Sequence, residues 1–379
     1  MASAQSELNI LALNSGSSSL KFGLYRVSAS RADRLLSGEA ESIGAANGRF
    51  HAQDSHGTSL LSETSDIPDQ QRAIVRIGQL LSDSKMPAPS AIGHRIVHGG
   101  PKLRRHCLID DSVLRQLEAA SAFAPLHTPP ALSVIRFAQE HFPGLPQVAC
   151  FDTTFHIGMP DVARVLPIPR EWQSEGIQRY GFHGLSCESI VHQLDGAVPN
   201  RLIIAHLGNG ASVTALKSGK SVDTSMGLTP SGGVIMGTRC GDLDPGVLVY
   251  LMRERHFDAA GIEEMVDHGS GMLGISGVSG DMRRLHDAAS SNADARLAIE
   301  MFCYSVRKQI AAMIAVLDGV DKIVFTGGIG ENDGEVRASI CGGLSWASIN
   351  RVQVLASQED EQIARHAWAL SRPDLSSPQ

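Results

Sequence analysis

Residues Asn14 to Lys21 read NSGSSSLK. An apolar run, Leu8 to Leu13, precedes them and an alternating run, Phe22 to Val27, follows, so the segment is expected to form a strand, a polar glycine turn and a returning strand. Backbone N–H groups and serine hydroxyls gathered in such a bend, together with the point charge of Lys21, are the donors that a polyphosphate needs. This is not a Walker A loop, because no Gly-Lys-Ser/Thr closes it and no helical pattern follows. Standing alone, an ordinary serine-rich hairpin would explain it equally well. The pattern returns, however, half a chain later: Arg201 to Leu207 is apolar, Gly208-Asn209-Gly210 turns, and Val213 to Leu216 runs back. Two such hairpins point to two related lobes serving one nucleotide, although they share pattern more than residues. A dinucleotide fingerprint is disfavoured, since its third glycine position is Val213 and a strand is expected to follow.

Four further segments concentrate ionisable residues and glycines: GHRIVHGG from Gly93 to Gly100, FDTTFH from Phe151 to His156, RYGFHG from Arg179 to Gly184, and the run from Asp223 to Pro245. They fall at the ends of expected strands, where open α/β sheets bind ligands. The strands are Ala91 to Val97, Gln147 to Phe151 and Lys322 to Phe325, the last ending in the run Thr326 to Asn332. Helices are expected over Leu114 to Phe123, Ala131 to His141 and Ala293 to Leu317. In the last of these, Leu297, Met301 and Tyr304 mark one face and Phe302, Val306, Ile310, Met313 and Leu317 another, so the helix is expected to be largely buried, with Gly319 as its cap. Alternating strands and helices define an α/β class.

A chain of 379 residues exceeds a comfortable single core, so two domains are expected. A net charge of −7 and the lack of a broad basic field argue against a nucleic-acid partner. With no apolar run of spanning length and no apolar leader after Met1, a cytoplasmic protein without a membrane partner is expected. The six cysteines contain no Cys-x-x-Cys pair, which argues against a zinc site or a disulfide framework. Each candidate also has an ordinary reading: Arg95 as a salt-bridge partner, Asp152 as a turn or cap residue, His183 as a core histidine, and Gly327 to Gly330 as a tight turn.

Seven motifs in order, NSGSSSLK, GHRIVHGG, FDTTFH, RYGFHG, AHLGNG, DTSMGLTPSGGVIMGTRCGDLDP and FTGGIGEN, resemble the acetate kinase family of the acetate and sugar kinase/Hsp70/actin superfamily, over about Ile10 to Arg365. The resemblance implies two ribonuclease H-like (actin-like ATPase) lobes with a central nucleotide and substrate cleft, residues 1–151 plus 352–379 forming one and 152–351 the other. It also implies reversible, direct in-line transfer of the ATP γ-phosphoryl to acetate, Mg²⁺ or Mn²⁺ as the cation, and a homodimer. Carried onto matching positions, it makes Asn14, Asp152 and Glu359 the groups that organise the metal and the phosphoryl. Arg95 and Arg239 become the carboxylate- and charge-binding pair, and His183 a transition-state donor. ATP phosphates would lie against Ser17, Ser19, Lys21, His206, Leu207, Gly208, Asn209 and Gly210. Adenosine would lie against Asp281, Met282, Arg283, Gly328, Ile329, Gly330, Glu331 and Asn332, and the acyl group against Val97, Leu126, Phe182 and Pro230.

The chain departs from the family's usual pattern at Thr128, Cys187 and Ser231, in the tail segment Ala356 to Asp360, and in a shorter C-terminal region. These changes bear on pocket size, and one methylene is worth only about 1–3 kcal/mol in an apolar pocket. A propionate or butyrate kinase is therefore the enzymatic alternative, although butyrate kinases typically carry proline where this chain has Ser15. An Hsp70- or actin-like interaction protein is the alternative of another class, and it leaves Arg95 and Arg239 beside an apolar pocket without a role.

Overall fold

A computed structural model describes residues 7–16, 18–125, 127–347, 349 and 351–372; the expected site residues Ser17 and Leu126 lie outside them. The chain divides into two compact units, Met1–Thr154 with Gln358–Gln379, and Phe155–Ser357.

The first unit begins with the expected hairpin, β1 (Leu8–Ser15) and β2 (Ser19–Val27), continued by β3 (Ala32–Glu41), β4 (Gly48–Asp54) and β5 (Ser59–Ser65). Helix α1 (Gln70–Asp83), capped by the Asp69 carboxylate on Arg72 N–H, leads to β6 (Ala91–Ile96). Then come β7 (Cys107–Leu108), α2 (Asp111–Ala119), α3 (Thr128–His141) and β8 (Gln147–Phe151). The eight strands are ordered β5-β4-β3-β2-β1-β6-β8-β7, and β1, β6 and β8 run parallel. Their common direction matters chemically: Asn14 lies next to the end of β1, Arg95 lies near the end of β6 and Asp152 follows β8, so the register delivers three polar side chains to one sheet end. On one face Ile74, Ile77 and Leu81 of α1 and Val134 and Ala138 of α3 pack with Leu11, Leu13, Phe22 and Ile92. The neighbouring Gly93 faces the other way, toward the returning C-terminal helix, where a Cβ would sit 2.6 Å from Ile363 Cγ2. Only a bare Cα lets that helix lie so close to the sheet.

The second unit contains the short α4 (Asp161–Arg164) and α5 (Arg170–Ser174), then α6 (Gly184–Gln193) and the second expected hairpin, β9 (Arg201–Leu207) with β10 (Ala211–Lys217). Next are β11 (Lys220–Thr224), α7 (Pro245–Glu254), α8 (Ala259–Asp267), α9 (Gly271–Ser276), α10 (Met282–Ala289) and α11 (Ala293–Leu317). Strand β12 (Lys322–Thr326), α12 (Gly327–Asn332), α13 (Gly334–Gly342) and β13 (Val352–Val354) complete it, before α14 (Glu359–Leu370) returns to the first unit. The sheet order is β11-β10-β9-β12-β13. The expected break at 351/352 falls short of this division because β13 pairs with β12, Ile323 opposite Val352, and so holds residues up to Ser357 in the second unit.

Two expectations for α11 need correction. Phe302, Val306, Ile310, Met313 and Leu317 are buried, but Leu297, Met301 and Tyr304 are exposed, Tyr304 by 58%. Strands β9 and β10 and helices α9, α10 and α13 cover one side of the helix and leave the other bare. The left-handed cap is Asp318 (φ 55°) and not Gly319, whose N–H instead bonds Ile314 O. Among the described residues no helix is long and apolar enough to cross a membrane.

Candidate active site

Each unit carries some of the expected residues, the second more than the first. In the first, Arg95 Nε donates to Asp152 Oδ2 at 2.8 Å, with Nη2 at 2.6 Å from the same oxygen, and Nη1 donates to Asn14 Oδ1 at 3.3 Å. Asn14 Nδ2 donates to Glu359 Oε2 at 3.1 Å and to Asp360 Oδ1 at 3.0 Å. Burial alone would lower the Arg95 pKa, but Asp152 and Glu359 outweigh it and raise it, so the guanidinium stays charged. Asp152 is fully buried. Lys21 stands opposite Asn14 across the hairpin, Ser19 opens β2, and Val97 is buried just past β6.

Asp360, which sequence reading missed, joins this cluster. Burial, with the Glu359 charge adding, raises its pKa, while Asn14, Lys21 and Arg95 pull the other way. It sits with Glu359 and Glu361 in the first turn of α14, where the helix dipole favours anions. The adjacent Glu359 and Asp360 carboxylates offer hard oxygens that fit a divalent cation such as Mg²⁺, while Asn14 turns its Nδ2 toward them and its Oδ1 toward Arg95. A cation would also relieve the crowding of charge at Asp360.

In the second unit His183 caps α6 in the left-handed region (φ 57°, ψ 28°). Its Nδ1 lies 2.9 Å from Ser212 Oγ, and its ring stacks on His206 with centroids 4.1 Å apart. His206 Nδ1 lies 2.8 Å from Ser186 Oγ, which turns Nε2 the other way. Arg239 Nη1 donates to Pro230 O at 3.2 Å, so one expected pocket residue anchors an expected catalytic one. A Cβ placed on Gly210 would meet Arg239 Nη1 at 3.3 Å and His183 Nε2 at 3.4 Å. Two nitrogens from separate segments thus converge on the bare Cα of the 208–210 turn. Phe182 is buried immediately before His183.

The same turn borders a cavity of about 1030 Å³ lined by Gly208, Asn209, Asp281, Met282, Arg283, Gly328, Ile329 and Asn332, all expected from the sequence, and by Gly280, His286, Asp333, Gly334 and Glu335, which were not. Asp281 caps α10 by accepting from Arg283 N and Arg284 N, and its hydrogen bond to the Arg283 side chain holds its carboxyl below the usual range. His286 Nε2 lies 2.8 Å from Asp333 Oδ2. Leu207 and Gly330 are buried and do not line the cavity. Glu331 turns inward, its Oε1 accepting from Gly327 N and Ser357 N at 2.9 Å.

Two α/β units, each containing a polar glycine-turn hairpin, are the architecture of the actin-like ATPases and their kinase relatives. The model of the Acetokinase family matches residues 9–364, and the chain belongs to that family. It is 43% identical over 355 residues to the acetate kinase of Halothermothrix orenii, covering 90% of this chain and 88% of that one. Identity to the acetate kinase of Methylocella silvestris is 40% over 397 residues, covering 95% and 97%. Among solved structures, a propionate kinase from Francisella tularensis superposes with a TM-score of 0.88 at 35% identity, covering 96% of this chain and 100% of that one. The Porphyromonas gingivalis acetate kinase does so at 0.84 and 34%, with the same coverage.

Proposed function

We propose that the chain catalyses reversible transfer of the γ-phosphoryl group of ATP to acetate, giving acetyl phosphate and ADP. Membership of the family and acetate kinase relatives at about 40% identity support this reading. The observation that carries it is the convergence of His183 and Arg239 on Gly210, in a turn that also lines the large cavity of the second unit. An acetate carboxylate is already ionised at neutral pH, so no general base is required. One of its oxygens attacks the γ-phosphorus, the bond to the β–γ bridging oxygen breaks, and ADP leaves with that electron pair.

The difficulty is repulsion between two anions, and positioned cationic donors reduce it. Arg239 and His183 Nε2 bind the equatorial oxygens of the moving phosphoryl, and Arg95 binds the acetate carboxylate. Asp152, bonded to Nε and Nη2, fixes the plane of the Arg95 guanidinium. Glu359 and Asp360, bridged by Asn14 Nδ2, would hold Mg²⁺, which when bound neutralises phosphate charge. A hydroxamate assay with ATP, Mg²⁺ and acetate tests the reading: acetyl hydroxamate well above the enzyme-free blank is expected, and none would overturn it. The likeness to a propionate kinase and the small residues Ser231, Gly232 and Gly233 favour some turnover of propionate, which the same assay over C2 to C4 acids measures.

The dimer expected from the sequence has two candidate surfaces. Helix α7 buries none of its residues although Val247, Val249, Tyr250 and Met252 are large and apolar, and α11 exposes Leu297, Met301 and Tyr304. Apolar surface of this extent is covered in working oligomers, and a second copy of the chain is the proposed cover.

A further inference from the structure

The segment FDTTFH supplies a second residue with chemistry, His156, which the mechanism above does not use. Its side chain is 1% exposed. The ring bridges two elements: Nε2 lies 2.9 Å from the carbonyl oxygen of Phe182, and Nδ1 lies 2.9 Å from Ser221 Oγ on β11. A carbonyl can only accept, so Nε2 carries the proton and Nδ1 accepts from the serine hydroxyl. Burial pushes the His156 pKa down to about 4, so the ring is neutral at physiological pH and this tautomer persists.

The carbonyl it holds belongs to the peptide that enters His183. His183 occupies the left-handed region, sparsely populated for a residue with a side chain, and such a conformation persists only where its surroundings over-determine it. The restraints on this loop can be traced. Arg179 Nη1 donates to the carbonyls of Thr224, Ser225 and Met226, each at 3.1 Å, and Tyr180 N–H bonds Gly227 O at 2.9 Å. Gly181 (φ +74°) lies so close to the imidazole that a Cβ there would be 2.8 Å from His156 Cδ2. The imidazole therefore meets this loop both at the Gly181 backbone and at the Phe182 carbonyl, one residue before the backbone twist that aims the His183 ring.

We propose that His156 is a positioning residue for phosphoryl transfer: its Nε2–H fixes the Phe182 carbonyl and thereby the left-handed backbone that presents His183 Nε2 beside Arg239. This rests on the reading of His183 as a catalytic group, and the test separates the two. Asn can satisfy Ser221 but cannot reach Phe182 O, whereas Gln places an amide N–H near the position of Nε2. In a folded His156→Asn variant kcat should fall roughly 30- to 100-fold, the scale of a misplaced catalytic group, while KM for ATP and for acetate stay within about threefold. His156→Gln should recover kcat to within about tenfold of the unsubstituted chain. In a His183→Ala background neither substitution should lower kcat by more than about twofold, because the group they position is gone.

If His183→Ala alone leaves turnover intact, the catalytic role of His183 fails and this inference with it. If His183→Ala is impaired but His156→Asn keeps full kcat, or costs its full factor in both backgrounds, the positioning role alone is overturned. Should the Asn variant not fold, Gln decides: its residual loss must vanish in the His183→Ala background, and its persistence there contradicts the proposal.

Discussion

Replacing Gly210 by alanine would place a methyl group between the two donors that the mechanism depends on. Its Cβ would lie 3.3 Å from Arg239 Nη1 and 3.4 Å from His183 Nε2, short of relaxed contact by a few tenths of an ångström. Gly210 is not among the glycines with positive φ, so its backbone accepts alanine without strain and the variant should fold. Both donors must therefore retreat. Losing one such donor outright costs about 10²- to 10³-fold in kcat. A 1 Å misplacement can cost about 10²-fold. A smaller shift of two donors together should cost about 10- to 30-fold, or ~1.4–2 kcal/mol of barrier. Steady-state ADP release in a coupled assay, with melting temperature measured in parallel, reads both quantities. Gly342→Ala, where a Cβ meets nothing within 4 Å, serves as the control. A folded Gly210→Ala enzyme with unchanged kcat would refute the claim that this glycine keeps space for two catalytic groups.

Arg95→Ala and Arg239→Ala should each fold and lose about 10²- to 10³-fold in kcat, and near-normal turnover by either would remove it from the mechanism. Stability should depend on pH through two buried histidines, because burial pushes both His94 and His156 down to about 4. An unfolded histidine titrates near 6.5, so the unfolded chain binds the extra protons; stability is intact above about pH 6.5 and falls by ~1.4 kcal/mol per pH unit per histidine down to about pH 4. In urea unfolding across that window His94→Gln should remove one histidine's share of the slope, and an unaltered slope would contradict the assignment. If a second copy covers α7 and α11, Tyr304→Lys should shift sedimentation toward a monomer, whereas a variant that sediments like the unsubstituted chain at micromolar concentration would place the interface elsewhere.

The two hairpins were legible because an apolar run, a glycine turn and a returning alternation leave little other choice, and β1–β2 and β9–β10 form there. Helix α11 was legible to its ends, where Asn292 caps the start on Asp294 N and Ala295 N. Strands β3 to β5 were not, because a half-solvated outer sheet of sequence such as GRFHAQD and SLLSETS carries too few apolar residues to mark its alternation. The bare stripe of α11 was misread as core, since an apolar face looks the same in sequence whether it meets the chain's own interior or another surface. In the site, residue types were legible and pairings were not. That Asp152 holds Arg95 follows from the register of β6 against β8, a long-range property. That Asp360 joins Glu359 beside Asn14 follows from the rotational phase of α14. Glu331 belonged to a nucleotide motif yet faces inward, because Gly327 N–H at the start of α12 and Ser357 N–H beyond β13 both take its Oε1 as acceptor.

The central claim is that the phosphoryl group passes straight from ATP to a carboxylate already held in line, with arginines and a histidine stabilising charge and no side chain taking the group in between. Turnover of ATP made chiral at its γ-phosphorus, followed by analysis of the configuration in acetyl phosphate, tests this directly. A single in-line displacement predicts inversion at phosphorus. Retention would mean an even number of displacements through a phosphorylated enzyme, and would contradict the account.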